Sequence, residues 1–182
     1  RIVPLSEGVD YLGFEIKPTG LSIRESSFKK MFGTLNAVFT SAKYKKRNDH
    51  FVWRLNLKIT GCRLDGKQYG WVSFFRQSEN IRQFARLDYF VEQQLKRYGL
   101  RHLQPRIKTF VRAYHEIRYE LETTRYIPNF DAYDLSEMTQ YLVSVQGKDI
   151  SGWSDEKIEQ EFMKIMKREA GKLEKDLFEF FS

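Results

Sequence analysis

The chain has 182 residues, 41% of them hydrophobic and 15% aromatic, enough for one domain with a buried core or for a domain with a helical appendage, and unlike a disordered chain. Its net charge of +7 suits a polyanionic partner, with a membrane surface or simple solubility as the other readings. The apolar runs fall short of the ~20 residues of a membrane span, no leader pattern is present, and the single Cys62 excludes an internal disulfide and fits a reducing cytoplasm.

Residues 9–16 form an alternating stretch in which Gly13 suggests a bulge or a close backbone approach. Pro18, Thr19 and Gly20 supply a turn and residues 21–24 alternate again, so this region reads as a β-hairpin. Ser26 or Ser27 is a suitable N-cap. Phe28, Met31, Phe32, Leu35, Val38, Phe39 and Ala42 then recur at helical spacing over about five turns. The helix runs into Lys43, Tyr44, Lys45, Lys46 and Arg47. Cations at a helix C-terminus are favoured by the macrodipole; four in five residues exceed that need, and phosphate contact is the second reading.

Residues 51–64 place Val52, Leu55, Ile59 and Cys62 on one helical face, with Arg54 and Lys58 on adjacent turns of another. Residues 65–67 make a turn, and residues 70–77 resume as a helix with Trp71, Phe74 and Phe75 in the core. Asn80 caps the next helix, which carries Ile81, Phe84, Leu87, Val91, Leu95 and Tyr98 inward and ends at Gly99. Pro105 opens another, with Ile107, Phe110, Val111, Tyr114, Ile117 and Leu121 on its stripe. Residues 124–133 form a surface loop, and Asp134 with Glu137 has the spacing of a capping box. After a connector at residues 147–152, Ser154 or Asp155 caps a last helix with a regular stripe from Ile158 to Phe181. That stripe packs within the chain, or else pairs with a second copy as a coiled coil.

Charge divides unevenly along this order. Residues 1–112 hold 22 Lys and Arg against 9 Asp and Glu, whereas residues 113–182 hold 9 against 15. The basic part suits nucleic acid, and the acidic part suits self or protein contacts. Catalytic chemistry has no candidate. There is no Cys/His set at metal spacing and no Gly-rich phosphate loop, His102 and His115 are isolated, and Asp10 and Glu15 are the only strand acids. The residues alone describe a binding module.

Leu12-Gly13-Phe14, Leu55-Asn56-Leu57, Ile59-Thr60-Gly61, Gly70-Trp71, Phe74-Phe75, Leu87-Asp88 and the basic-aromatic finish at residues 95–98 follow one another in a recognisable order. The arrangement resembles the end of bacterial group II intron-like reverse transcriptases: the primer-grip hairpin, then the thumb or maturase-specific (X) domain, over residues 9–101. It departs from them where residues 62–69 separate Gly61 from Gly70-Trp71, which makes an inserted turn or a helix break. Beyond Arg106 a helical extension without His and Cys motifs looks more like domesticated relatives, including phage-defence reverse transcriptases.

The resemblance implies a mainly α fold: an N-terminal β-hairpin ending a palm (1–24), a thumb-like helical bundle (25–104) and a helical C-terminal extension (105–182). It implies that Leu12, Gly13 and Phe14 hold the primer 3′ end, and that Lys29, Lys30, Lys43, Lys45, Lys46, Arg47, Arg54 and Lys58 contact the phosphates of an RNA or RNA–DNA template-primer duplex. The family's paired catalytic aspartates and their Mg²⁺ are expected upstream, in the fingers and palm of a longer cytoplasmic protein, so this segment alone is expected to be inactive. A non-catalytic maturase-like RNA-binding module and a helical oligomerisation domain are the other readings.

Overall fold

In the computed structural model, which describes residues 8–41 and 47–179, the chain is mainly α-helical, with a three-stranded sheet at one end and a two-stranded ribbon in the middle. The sheet is antiparallel, with strands β1 (Val9–Tyr11), β2 (Phe14–Lys17) and β3 (Gly20–Ile23) in that order. Tyr11 pairs with Phe14, so Leu12 and Gly13 form a two-residue turn rather than the bulge expected from the sequence. Their φ angles of 47° and 82° are those of a hairpin turn whose twist matches the strands. A leucine is an uncommon occupant of that first position, because its Cβ crowds the backbone there.

The outer edge of β3 is closed by side chains rather than by another strand. Ile23 N–H donates to Gln83 Oε1 at 2.9 Å, and Gln83 Nε2 donates to the Ile23 carbonyl at 2.7 Å. One buried amide thus completes both backbone groups of a strand residue, as a neighbouring strand would. Glu79 repeats the pattern, donating its N–H to the Leu21 carbonyl at 2.8 Å and accepting Leu21 N–H at 3.2 Å. Phe14 packs on Phe74 and Phe75 beneath.

Helix α1 (Glu25–Thr40) starts one or two residues before the serines expected to cap it, and Ser27 lies buried inside its first turn. The basic residues Lys43, Lys45 and Lys46 fall outside the described residues. Helix α2 (Asn48–Thr60) ends four residues earlier than its apolar spacing predicts. Cys62 and Leu64 are instead strand residues, in β4 (Cys62–Leu64), which pairs with β5 (Lys67–Tyr69) around Asp65 and Gly66 at φ 50° and 69°. Asp131 holds this turn by accepting the N–H groups of Asp65 and Gly66 at 2.7 and 3.0 Å.

The ribbon explains the separation between Gly61 and Gly70. Cys62 pairs with Tyr69, so the two glycines meet across the base of the hairpin. A Cβ on Gly70 would lie 2.6 Å from the Gly61 Cα, and one on Gly61 would lie 1.9 Å from the Tyr69 carbonyl oxygen. Gly61 and Gly70 also have positive φ, 65° and 124°. Only glycine satisfies both conditions.

The chain then continues through a short helix α3 (Trp71–Phe74), a 3-10 turn (Phe75–Gln77) and the long helix α4 (Ile81–Arg97), which Gly99 terminates at φ 68°. Pro105 does not open a long helix. It lies in a 3-10 segment (Arg101–Arg106), and α5 (Phe110–Tyr119) begins only after Thr109 supplies its cap. Asp88 of α4 adds a second cap, accepting Phe110 and Val111 N–H at 2.5 and 3.0 Å. The capping box of Asp134 and Glu137 is present at the start of α6 (Leu135–Gln140), which continues into a π-helical turn (Tyr141–Val145). Helix α7 (Asp155–Glu179) closes the fold.

Two hydrophobic clusters result, with α2 between them. The first takes Phe51, Val52, Leu55 and Ile59 of α2 with the inward residues of α1, α3, α4 and α5, and it reaches Ile127. The second takes Leu57 of α2 with Cys62, Leu64, Phe130, Tyr141 and the stripe of α7. Residues 105–127 therefore pack with the first cluster, not with a C-terminal unit starting at residue 105. The α7 stripe, including Phe162, Ile165, Met166 and Leu173, is filled by this chain's own residues rather than left open to a coiled-coil partner.

Alanine at Gly61 or Gly70 is expected to cost more than about 3 kcal/mol, the sum of a strained backbone and a backbone clash. Denaturant unfolding of the two variants checks this; a loss below about 1 kcal/mol would contradict the contact.

Candidate nucleic-acid interface

Helices α1 and α4 lie side by side and run in the same direction. Phe28 of α1 lies under the Arg86 guanidinium of α4 at 4.7 Å, Phe32 meets Phe90 at 4.8 Å, and Phe39 stacks on Tyr98 at 5.7 Å, in the same order along both helices. Both start beside the three-stranded sheet, α1 by continuity from β3 and α4 through Glu79 and Gln83. Their inner faces are fully used in the first cluster, which leaves their outer faces to be read for function.

The outer face of α4 carries Arg82, Arg86, Tyr89 and Lys96, spaced by four, three and seven residues, with Arg97 beside them, all exposed. Tyr89 is 64% exposed among these cations, far more than a tyrosine needed for packing. The nearest carboxylate on that face, Glu92, is bound to Lys96 at 2.8 Å, and this bond holds its carboxyl below the usual range. On α1, Lys29 is 72% exposed and pairs only loosely with Glu25 at 3.9 Å, while Lys30 is half-buried. A helix of 17 residues is about 25 Å long, so the cations of α4 recur along the length of several phosphates.

At the head of this strip, the residues expected to grip a primer divide their work. Leu12 stands at the hairpin tip, 56% exposed beside the exposed Tyr11 and Val9. Gly13 is buried, and its carbonyl accepts Arg24 N–H at 2.8 Å, which anchors the start of α1. Phe14 belongs to the core edge. Only Leu12 among the three offers its side chain outward.

Among the described residues, the other cations expected to meet phosphate, Arg47, Arg54 and Lys58, lie elsewhere. The ammonium of Lys58, only 13% exposed, forms an ion pair with Asp176 of α7. Half-buried Arg54 lies in the field of Glu169, also on α7. Arg47 donates to the Val145 carbonyl at 3.0 Å in the π-helical turn. The acidic helix thus covers the cationic edge of α2, because a helix buried on two sides leaves its charges a narrow margin, where opposite charges from α7 compensate their desolvation. Lys58 is consequently occupied by its own chain rather than turned to a duplex.

Asn56 of the Leu-Asn-Leu segment serves packing. Its amide donates to the Arg106 carbonyl at 2.9 Å and accepts Lys108 N–H at 2.8 Å. Burial pushes the Cys62 thiol up to about 12, which makes it an inert core group. Among the described residues no group of three or more His, Cys, Asp or Glu could hold a metal ion, and no helix is long and apolar enough to cross a membrane. Sequence reasoning missed Arg82, Arg86, Tyr89 and Arg97; the signal lay in their shared face, opposite the apolar stripe that defined the helix. Comparison with family models, with curated proteins and with solved structures finds no match.

The α2–α7 contact predicts a pH effect. Burial alone would raise the Glu169 carboxyl, but the Lys172 hydrogen bond, with Arg54 and Arg168 near, brings it below its ordinary 4.5. A carboxyl depressed by folding adds stability that is present above the unfolded value and lost as pH falls through the folded one. Unfolding free energy is therefore expected to drop as pH falls below about 4.5. Glu169→Gln should flatten part of that drop; identical profiles for the two proteins would show that the carboxylate does not couple to folding.

Proposed function

We propose that this chain is the duplex-gripping, thumb-like part of an RNA-directed DNA polymerase, acting in the cytoplasm beside upstream fingers and palm that carry the catalytic acids and their Mg²⁺. One observation carries the reading: a basic and aromatic strip on the parallel helices α1 and α4, headed by a hairpin with an outward leucine. Phosphate contact by cations on rigid helices is sequence-independent, as a polymerase that copies any template requires. Tyr89, with two rigid χ angles and an amphipathic ring, suits the shallow minor groove of an A-like hybrid. This chain's part is positioning, and the polymerase chemistry would belong to the acids upstream.

The hairpin fits the same role. A leucine at φ 47° costs roughly 1 kcal/mol relative to the asparagine or glycine that such a turn prefers. Its outward side chain is unused in the fold, so the cost has its return at a partner. This chain would then place the duplex by its phosphates and the primer end by an apolar contact at the tip.

Two experiments test the reading. Replacing Arg82, Arg86 and Arg97 together by alanine is expected to reduce the salt slope of RNA–DNA hybrid binding by about 3 and affinity at least about tenfold at moderate salt. Lys58→Ala should leave that slope unaltered; an effect confined to Lys58 would move the interface to α2. Leu12→Asn is expected to stabilise the chain by about 1 kcal/mol in thermal melts. In the full polymerase the same change should impair primer extension without changing hybrid affinity, and unaffected extension would remove the hairpin from the mechanism.

A further inference from the structure

Helix α7 sorts its charges more strictly than its composition suggests. It holds eight carboxylates and six cations, a net acidic sequence. Its buried stripe takes one face, and Glu169 and Asp176 turn inward to the basic edge of α2. The opposite ridge, farthest from the core, carries Lys157, Lys164, Lys167, Arg168 and Lys175, all exposed. At 3.6 residues per turn, positions 157, 164, 168 and 175 fall in one line along the axis. Between them Gln160 and Gly171 are neutral; the exposed Glu156 and Glu174 lie to one flank, and Glu161, paired with Lys148 at 2.5 Å, lies to the other.

We propose that this ridge is a second phosphate-contact surface, which takes one strand of RNA or DNA separately from the strip on α1 and α4. From Lys157 to Lys175 it spans about 27 Å, or roughly eight steps of a duplex strand at ~3.4 Å each. Among the described side chains it carries no exposed aromatic ring, which suits a backbone followed by charge rather than bases held by stacking. The partners already near these cations leave them open to solvent. Lys164 and Glu161 are 4.0 Å apart, Lys167 reaches exposed Asp65 at 3.4 Å, and Lys157 lies over the Trp153 ring at 4.4 Å. Arg168, 60% exposed, meets Glu169 at 3.3 Å, a carboxylate that Lys172 already holds at 2.7 Å. An anionic membrane fits less well, because a surface-bound helix buries apolar side chains in the lipid and those of α7 are already in the core. At its far end Leu177 packs against the first cluster, so the ridge leads from the β4–β5 ribbon toward the half of the molecule that bears the other strip.

The test uses the whole chain and a labelled single-stranded RNA, with anisotropy titrations over a range of salt. Reversing Lys164, Arg168 and Lys175 to glutamate is expected to lower affinity at least about tenfold and to reduce the salt slope by about 2. A charge-matched control that reverses Lys17, Lys67 and Arg125 should retain the parent slope. Lys164→Gln, Arg168→Gln and Lys175→Gln together should give a smaller loss of the same kind with an unaltered melting temperature, which separates binding from folding. An unaltered slope in the ridge variant overturns the proposal, and so does an equal loss in the control. It is also overturned if the ridge variant loses co-sedimentation with phosphatidylserine vesicles but binds RNA normally. Reversal of Arg82, Arg86 and Arg97 tests the other surface independently: if hybrid binding survives that change while the ridge variant fails on RNA, the duplex-gripping reading falls and the ridge stands.

Discussion

Everything in this molecule is arranged around a helix with apolar residues on two sides. Phe51, Val52, Leu55 and Ile59 of α2 face one hydrophobic cluster, and Leu57 faces the other. A helix placed this way cannot be extended at will, because the chain must leave it through the interior. The exit is made by Gly61, whose backbone packs directly on Gly70 where the β4–β5 ribbon returns. No side chain fits between them, so the close approach of the two glycines sets where Trp71 enters the first cluster and where β4 enters the second. Asn56 adds a further tie by completing the backbone of residues 106 and 108.

The same constraint explains the placement of charge. Cations on α2 have little solvent to face, and α7 supplies Glu169 and Asp176 at that margin. Part of the contrast between a basic first part and an acidic second part is thereby neutralised inside the chain. What remains outward is found on helices that bury a single stripe. On α4 the outer face is basic and includes an exposed tyrosine; on α7 the outer ridge is basic although the helix as a whole is acidic. Net charge by segment therefore gives a poor guide to the surface, because burial selects which residues remain there.

The three-stranded sheet is fixed by a different device. Its β3 edge is closed by Gln83 and Glu79, which pair with strand backbone at the entrance to α4. The hairpin is thus fixed to a helix with a basic outer face, and the exposed tip at Leu12 keeps a set position relative to the strip. A side-chain amide serves this purpose better than another strand would, since it belongs to the helix being positioned. The backbone strain at Leu12 is borne because β2 is held on both sides, by β1 and by β3.

Several helices and some of their ends were legible in the residues themselves, because they depend on neighbours a few positions away. The apolar spacing of α4, the glycine that ends it, and the capping box at Asp134 are local features, and each is present in the structure. The mainly α character and the core placement of Trp71 and Phe75 followed from the same spacing. Local spacing failed where two residues of one pattern went to different elements: Cys62 continued the period of α2 but lies in β4, since the Asp65-Gly66 turn required a ribbon there. It failed again at Pro105, which lies in a 3-10 segment; beyond it, where Asn56 bonds residues 106 and 108, the chain is extended at Ile107 and Thr109 before α5 begins. The residues by themselves determined the mainly helical character and which side chains are charged. Only the tertiary structure decided which charges reach solvent, for Lys58 and Arg86 are alike in sequence terms. One is enclosed by an acidic helix from 118 residues away, and the other lies open on the outer face of α4.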